Sequence, residues 1–233
     1  MPEAWANLAS VVSLHDFDYS LADQYLQKAL SLDGRNALVF RRASTLAWSR
    51  GNTERAIELN KEALTLDPMS LALYVNIGVA YYQIEQYDEA LDYFNRANTI
   101  SPNFSQSNYR RGRTILAMGD ANAALALFEA EPMDGRRLMG QAMAYWSLGR
   151  EEESDAALAE FMTDTYLDDD WQPYIAAVLA YRGEIDPAFE MLEQAHEQNN
   201  TALIQLILLP DFKNLHSDPR WAVYERKVRA IIK

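Results

Sequence analysis

With 34 acidic against 21 basic residues in a chain of 233, the net charge is −13, so a phosphate backbone is a poor ligand, because its neutralisation needs a basic surface. Apolar residues make up 49% and aromatics 11%, enough for a continuous core, and global disorder is excluded. The absence of Cys removes disulfides, thiolate metal sites and a cysteine nucleophile, and leaves cytoplasm and periplasm equally open.

The chain enters helical periodicity at Trp5 with no positively charged, apolar lead-in, so no signal peptide is expected and Met1 reads as the start of a domain cut from a longer chain. A first helical hairpin is predicted over residues 2–34, with Trp5, Leu8, Ala9 and Val12 on its first helix and Ala22, Leu26 and Ala29 on its second. One extra residue lies in its connection at residues 15–19, because the two helices share a register only after a one-residue shift. The second hairpin, residues 36–68, keeps Phe40, Ala43, Ser44, Gly51, Ala56 and Ala63. In the third, two apolar-periodic segments at residues 70–83 and 87–100 flank a polar break at Glu85 and Gln86.

Small residues keep time along these hairpins. Ala22, Ala56, Ala90 and Ala124 are each 34 residues apart, and Gly51 and Gly119 stand at the same interval on either side of Glu85. Gly78 and Ala90 are small where two helices approach closely, while Tyr81 and Phe94 fill the wider gaps. Asp67 before Pro68 and Ser101 before Pro102 are expected to cap the next helix, with the proline in its first turn.

The fourth hairpin keeps Gly112, Ile115, Gly119, Ala124 and Phe128, but Pro132 should stop its second helix early. Gly149 therefore follows Gly119 by 30 residues. The fifth is the most divergent, with Ser154 and Phe161 at alanine positions, and the sixth restores the step through Gly183, Ala188, Leu192 and Ala195. Beyond Asn200 a short apolar segment leads to a last helix from about residue 219, with Asp218 as its N-cap. Lys227, Arg229 and Lys233 suit its C-terminal dipole.

A 34-residue period made of one hairpin resembles the tetratricopeptide repeat, on Tyr74, Ile77, Gly78, Tyr81, Ala90, Phe94, Ala97 and Pro102. The resemblance implies an all-α, right-handed superhelical solenoid of about six hairpins over residues 1–200, closed by a capping segment over residues 201–233, with a concave face lined by first helices. Segments such as ALALFEAEP, YRGEIDPAFEMLEQA and LPDFKNLHSDPRW are similar to repeat regions in the C-terminal half of bacterial signalling proteins, where they follow a winged-helix domain, a nucleotide cyclase or a kinase. That resemblance implies a non-catalytic peptide- or protein-binding module with regulatory duty. The alternatives are a scaffold that self-associates as a homo-oligomer and the accessory domain of an enzyme.

No chemistry competes with that reading. His15, His196 and His216 are far apart, and the acidic runs at residues 151–153 and 168–170 lack calcium-loop spacing, so no metal or cofactor is expected. Phosphate-loop and nucleophile-elbow patterns are absent, so no enzyme is expected. No run reaches the ~18 apolar residues of a spanning helix, so membrane insertion is not expected.

The candidate binding residues come from charge segregation. Residues 34–53, 68–84 and 102–119 carry Arg35, Arg41, Arg42, Arg50, Arg110, Arg111 and Arg113 and no acid. A positive inner wall would favour an acidic segment or a C-terminal carboxylate. Arg41, Arg110 and Arg113 are the expected anion contacts, Asn76 a hydrogen-bonding partner, and Trp48 and Tyr82 apolar contacts, with Leu116 beside them. Arg41, Asn76 and Arg110 occupy positions similar to the carboxylate clamp of chaperone-binding members of the repeat family. Thr45 and Gln106 stand where that clamp has Asn and Lys.

Overall fold

The computed structural model describes the chain apart from residues 103, 105, 164–170, 199, 201 and 231–233. The acidic run at 168–170 and Lys233 lie outside the described residues. Every regular element among the described residues is helical. Six hairpins follow in order: α1 (Pro2–His15) with α2 (Tyr19–Leu32), α3 (Ala37–Ser49) with α4 (Thr53–Leu66), and α5 (Leu71–Gln83) with α6 (Tyr87–Ile100). Then come α7 (Ser107–Ala117) with α8 (Ala121–Glu129), α9 (Asp134–Ser147) with α10 (Glu151–Phe161), and α11 (Gln172–Tyr181) with α12 (Ile185–Glu197). A short α13 (Leu203–Leu206), a 3-10 turn (Pro210–Leu215) and α14 (Pro219–Arg229) follow among the described residues.

Short polar side chains start several helices. Asp18, Asn36, Asn52 and Asp120 each accept a hydrogen bond from a backbone N–H in the first turn of the helix that follows, satisfying donors that have no intrahelical partner. The capping expected of Asp67 and Ser101 is not what forms. Asp67 instead closes the end of α4, donating its N–H to the Ala63 carbonyl, and α5 begins after Ser70. Likewise α7 begins after Gln106, held at φ 66°. Pro68 and Pro102 thus act as stops for the helix behind them, for which the missing N–H is sufficient cause.

Five hairpin turns share one geometry. Gly51, Glu85, Gly119, Gly149 and Gly183 all have positive φ, between 59° and 97°. The residue after each donates its N–H five positions back, as in Asn52 to Ala47, Gln86 to Tyr81 and Asp120 to Ile115. This left-handed closure satisfies the last helical carbonyls and suits glycine, which has no Cβ to clash. The first hairpin departs by one residue: Phe17 takes φ 50°, and Asp18 N–H reaches back six positions, to Val12.

The chain forms two compact units, residues 1–100 with 224–233, and residues 101–223. In the first unit Ala6, Ala9, Tyr19, Ala22, Leu26, Ala29, Val39 and Leu46 form one buried cluster. Close approach explains the small residues, since a Cβ on Gly78 would lie 2.6 Å from the Phe94 ring. In the second unit the Phe128 ring is wedged between two glycines: a Cβ would meet it at 2.8 Å from Gly112 and at 2.1 Å from Gly140.

Pro132 does shorten the fourth hairpin. Helix α8 ends at Glu129, and the buried Glu131 turns its carboxylate to the N–H groups of Tyr109, 2.9 Å away, and Met133, 3.3 Å away. One acid thereby serves the starts of both α7 and α9. The 3-10 turn packs on α11, where Asn214 donates to the carbonyls of Ala180 and Tyr181. Phe212 is buried and stacked on Trp221.

Candidate functional site

In the first unit, α3 presents Arg41 and Arg42 side by side, both half-buried. Arg42 donates to Asn7, but its Nε is buried without a hydrogen-bond partner. Burial, and then the neighbouring Arg41, lower the pKa of Arg42. Thr45 is occupied in returning a hydrogen bond to the Arg41 carbonyl. Trp48 is half-buried and donates its indole N–H to Gln83, which Thr53 also contacts at 3.0 Å. Asn76 is half-buried on α5.

Several expectations need correction. Tyr82 does not stand open as a groove contact: it is 6% exposed, with its ring 5.5 Å from that of Tyr87, because the left-handed turn at Glu85 folds Tyr87 back over it. Leu116 is buried as well. Arg50 is an ion-pair partner of Asp23 on α2, so one inner arginine is spent on a second helix.

The second unit gathers the rest. Arg113 is not a free anion contact, since Asp211 of the 3-10 turn meets it through Nε at 2.8 Å and again through Nη2. The Asp211 side chain is 1% exposed. Arg110 donates to the neutral amide of Gln106 at 3.2 Å, and its Nε is buried without a partner. Burial, followed by the nearby Arg136, pulls its pKa down to about 10, so it stays charged at neutral pH.

Arg136 was not among the expected residues. It is 9% exposed, and its guanidinium carbon lies 5.1, 4.9 and 4.1 Å from the ring centres of Tyr109, Trp171 and Tyr174. Such faces attract a cation but offer no counter-charge. Counting arginines on one more first helix would have flagged it, although Asp134 on that helix breaks the acid-free pattern.

Nearby, a pocket of ≈ 390 Å³ is lined by Phe104, Ser107, Asn108, Ala130, Glu131 and Pro132. Among the described residues no group of three or more His, Asp or Glu could hold a metal ion. No described helix is long and apolar enough to cross a membrane.

The family model of the tetratricopeptide repeat matches residues 72–104, the hairpin in which small and aromatic positions fit best. Residues 72–104 carry a tetratricopeptide repeat. Human tetratricopeptide repeat protein 28 is 35% identical over 107 residues, which is 44% of this chain and 4% of the human protein, so the chain spans a small part of that relative's length. Among solved structures, PilW, a widely conserved type IV pilus biogenesis factor, superposes with a TM-score of 0.64 at 19% identity, covering 89% of this chain and 98% of PilW. YrrB, described as a TPR protein with an unusual peptide-binding site, gives 0.50 at 20% identity over 87% of this chain and 97% of its own. At such identities these structures share the tetratricopeptide fold with this chain, and what they bind is their own.

Proposed function

We propose that this tetratricopeptide chain is a non-catalytic peptide- or protein-binding module that takes an acidic segment or a carboxylate on the first helices of its hairpins. Its setting is the regulatory part of a larger bacterial signalling or transcription-regulating protein. The observation that carries the reading is charge without counter-charge: Arg41, Arg42, Arg110 and Arg136 make no ion pair among the described residues, in a chain whose net charge is −13. Unpaired guanidiniums held by packing are forks ready for carboxylate oxygens. Peptide binding by a relative of the same fold, YrrB, is consistent with a first-helix surface for a peptide.

The test is a fluorescence-anisotropy screen of acidic peptides against the wild type, Arg41→Glu and Arg110→Glu. Binding should weaken at least tenfold on charge reversal in the unit that holds the peptide, Arg41→Glu for the first or Arg110→Glu for the second, and should fall with added salt, which screens charges beyond a Debye length of ~10 Å at 0.1 M. Binding indifferent to both would remove the electrostatic reading.

A further inference from the structure

The second unit concentrates positive charge around one ring. Tyr109 has the Arg113 guanidinium 5.9 Å and the Arg136 guanidinium 5.1 Å from its ring centre, and Arg110, the next residue on α7, feels the field of both. The carboxylate that enters this cluster, Asp211, is committed to Arg113. The other buried acid at hand, Glu131, faces the backbone N–H groups of Tyr109 and Met133. Arg110 therefore has a neutral amide, and Arg136 has the Met139 sulfur at 3.9 Å and three ring faces. The Nε atoms of both are buried with no hydrogen-bond partner.

Two like charges held close, partly withdrawn from water and without a counter-ion among the described residues, raise the free energy of the empty molecule. An anion that enters relieves that repulsion and also satisfies donors already in place, so little reorganisation opposes binding. The half-buried Arg110, Trp171 and Tyr174 leave the cluster a face to solvent.

We propose that Arg110 and Arg136, walled by Tyr109, Trp171 and Tyr174, form a binding site for a dicarboxylate. Two uncompensated guanidiniums call for two negative charges, and each planar fork matches one carboxylate. The ring walls suit the short aliphatic link between the two carboxylates. The dicarboxylate is either a pair of adjacent acidic side chains in a peptide or a small free dicarboxylic acid. This deepens the acidic-ligand reading above and rests on it for the class of anion.

The experiment is calorimetric titration of the full chain with succinate, with acetate, and with a peptide carrying two adjacent aspartates. The wild type is compared with Arg110→Gln, Arg136→Met and Arg136→Lys, each checked for folding by circular dichroism. The wild type should bind succinate or the peptide at least tenfold more tightly than acetate, and each variant should lose at least tenfold. Arg136→Lys is included because it keeps the charge and loses the fork; if Arg136→Met does not fold, it and Arg110→Gln carry the comparison. Succinate binding alone identifies a free acid and peptide binding alone a peptide, and either supports the site. Failure of both probes to bind the wild type, or binding unchanged in the variants, overturns it. Peptide binding lost in Arg41→Glu but intact in the Arg136 variants sinks this site and leaves the acidic-ligand reading standing. Arg136-dependent succinate binding without any acidic-peptide binding keeps this site and strikes the acidic segment from the reading above, leaving the free carboxylate.

Discussion

Glu85 occupies the left-handed position that glycine fills in four other hairpin turns, at φ 59°. An L side chain there costs roughly 1–2 kcal/mol, partly offset by the smaller entropy it loses on folding, so Glu85→Gly should raise stability by about 0.5–1 kcal/mol in urea unfolding. The converse change isolates the backbone from packing. Gly119 has φ +97° and nothing within 4 Å of a built Cβ, and Gly119→Ala should still lower stability by about 1 kcal/mol. At Gly140 the cause is crowding, since its Cβ would lie 2.1 Å from the Phe128 ring, and Gly140→Ala should cost ~1–3 kcal/mol by overpacking. Gly51 and Gly119 were legible as a rhythm in the chain because a turn demands glycine locally. Gly140 was not, because the ring it makes room for arrives from α8, and no periodicity within α9 announces it.

At the scale of elements, hairpins could be read from small residues spaced 34 apart, since each hairpin repeats the same close contact. Helix starts were read less well: Pro68 and Pro102 were expected inside first turns and lie in the connections instead. The candidate site was half legible. Arg110 followed from its helix, whereas Arg136 depends on rings from α7 and from the start of α11, and Arg113 on Asp211, 98 residues away. That pair is nearly dry, so Asp211→Asn should cost ~3–5 kcal/mol by leaving a guanidinium uncompensated. The double change Asp211→Leu with Arg113→Met should recover most of that loss in the same urea assay. The start of α14 has its own ionic signature. Arg220 holds Asp218 down to about 2, first through its side chain and then through its backbone N–H. A carboxyl depressed in the folded state stabilises above its unfolded pKa and ceases to do so as pH falls through the folded value. The contact should therefore persist at neutral pH and fade between about pH 4 and 2. An acid titration followed by NMR of the Arg220 amide checks this, and a midpoint near the ordinary carboxylate value would contradict the geometry.

For the whole molecule, residues 210–230 behave as structure and not as a tail: Phe212, Leu215, Trp221, Tyr224 and Val228 are all buried. Deleting residues 210–233 should lower the thermal midpoint and promote aggregation, because the apolar surface they cover becomes exposed. A truncated chain that stays monomeric and equally stable in light scattering and thermal melts would reject that. The Arg113–Asp211 pair also imposes an order in time. A ribosome adding ~5–20 residues per second needs roughly 5–20 s to travel the 98 positions between the two. Throughout that interval the Arg113 guanidinium is without the Asp211 carboxylate that meets it in the finished chain. The pair is therefore among the last contacts of the second unit that synthesis permits, and the seat of Asp211 beside Arg113 is built before its occupant exists.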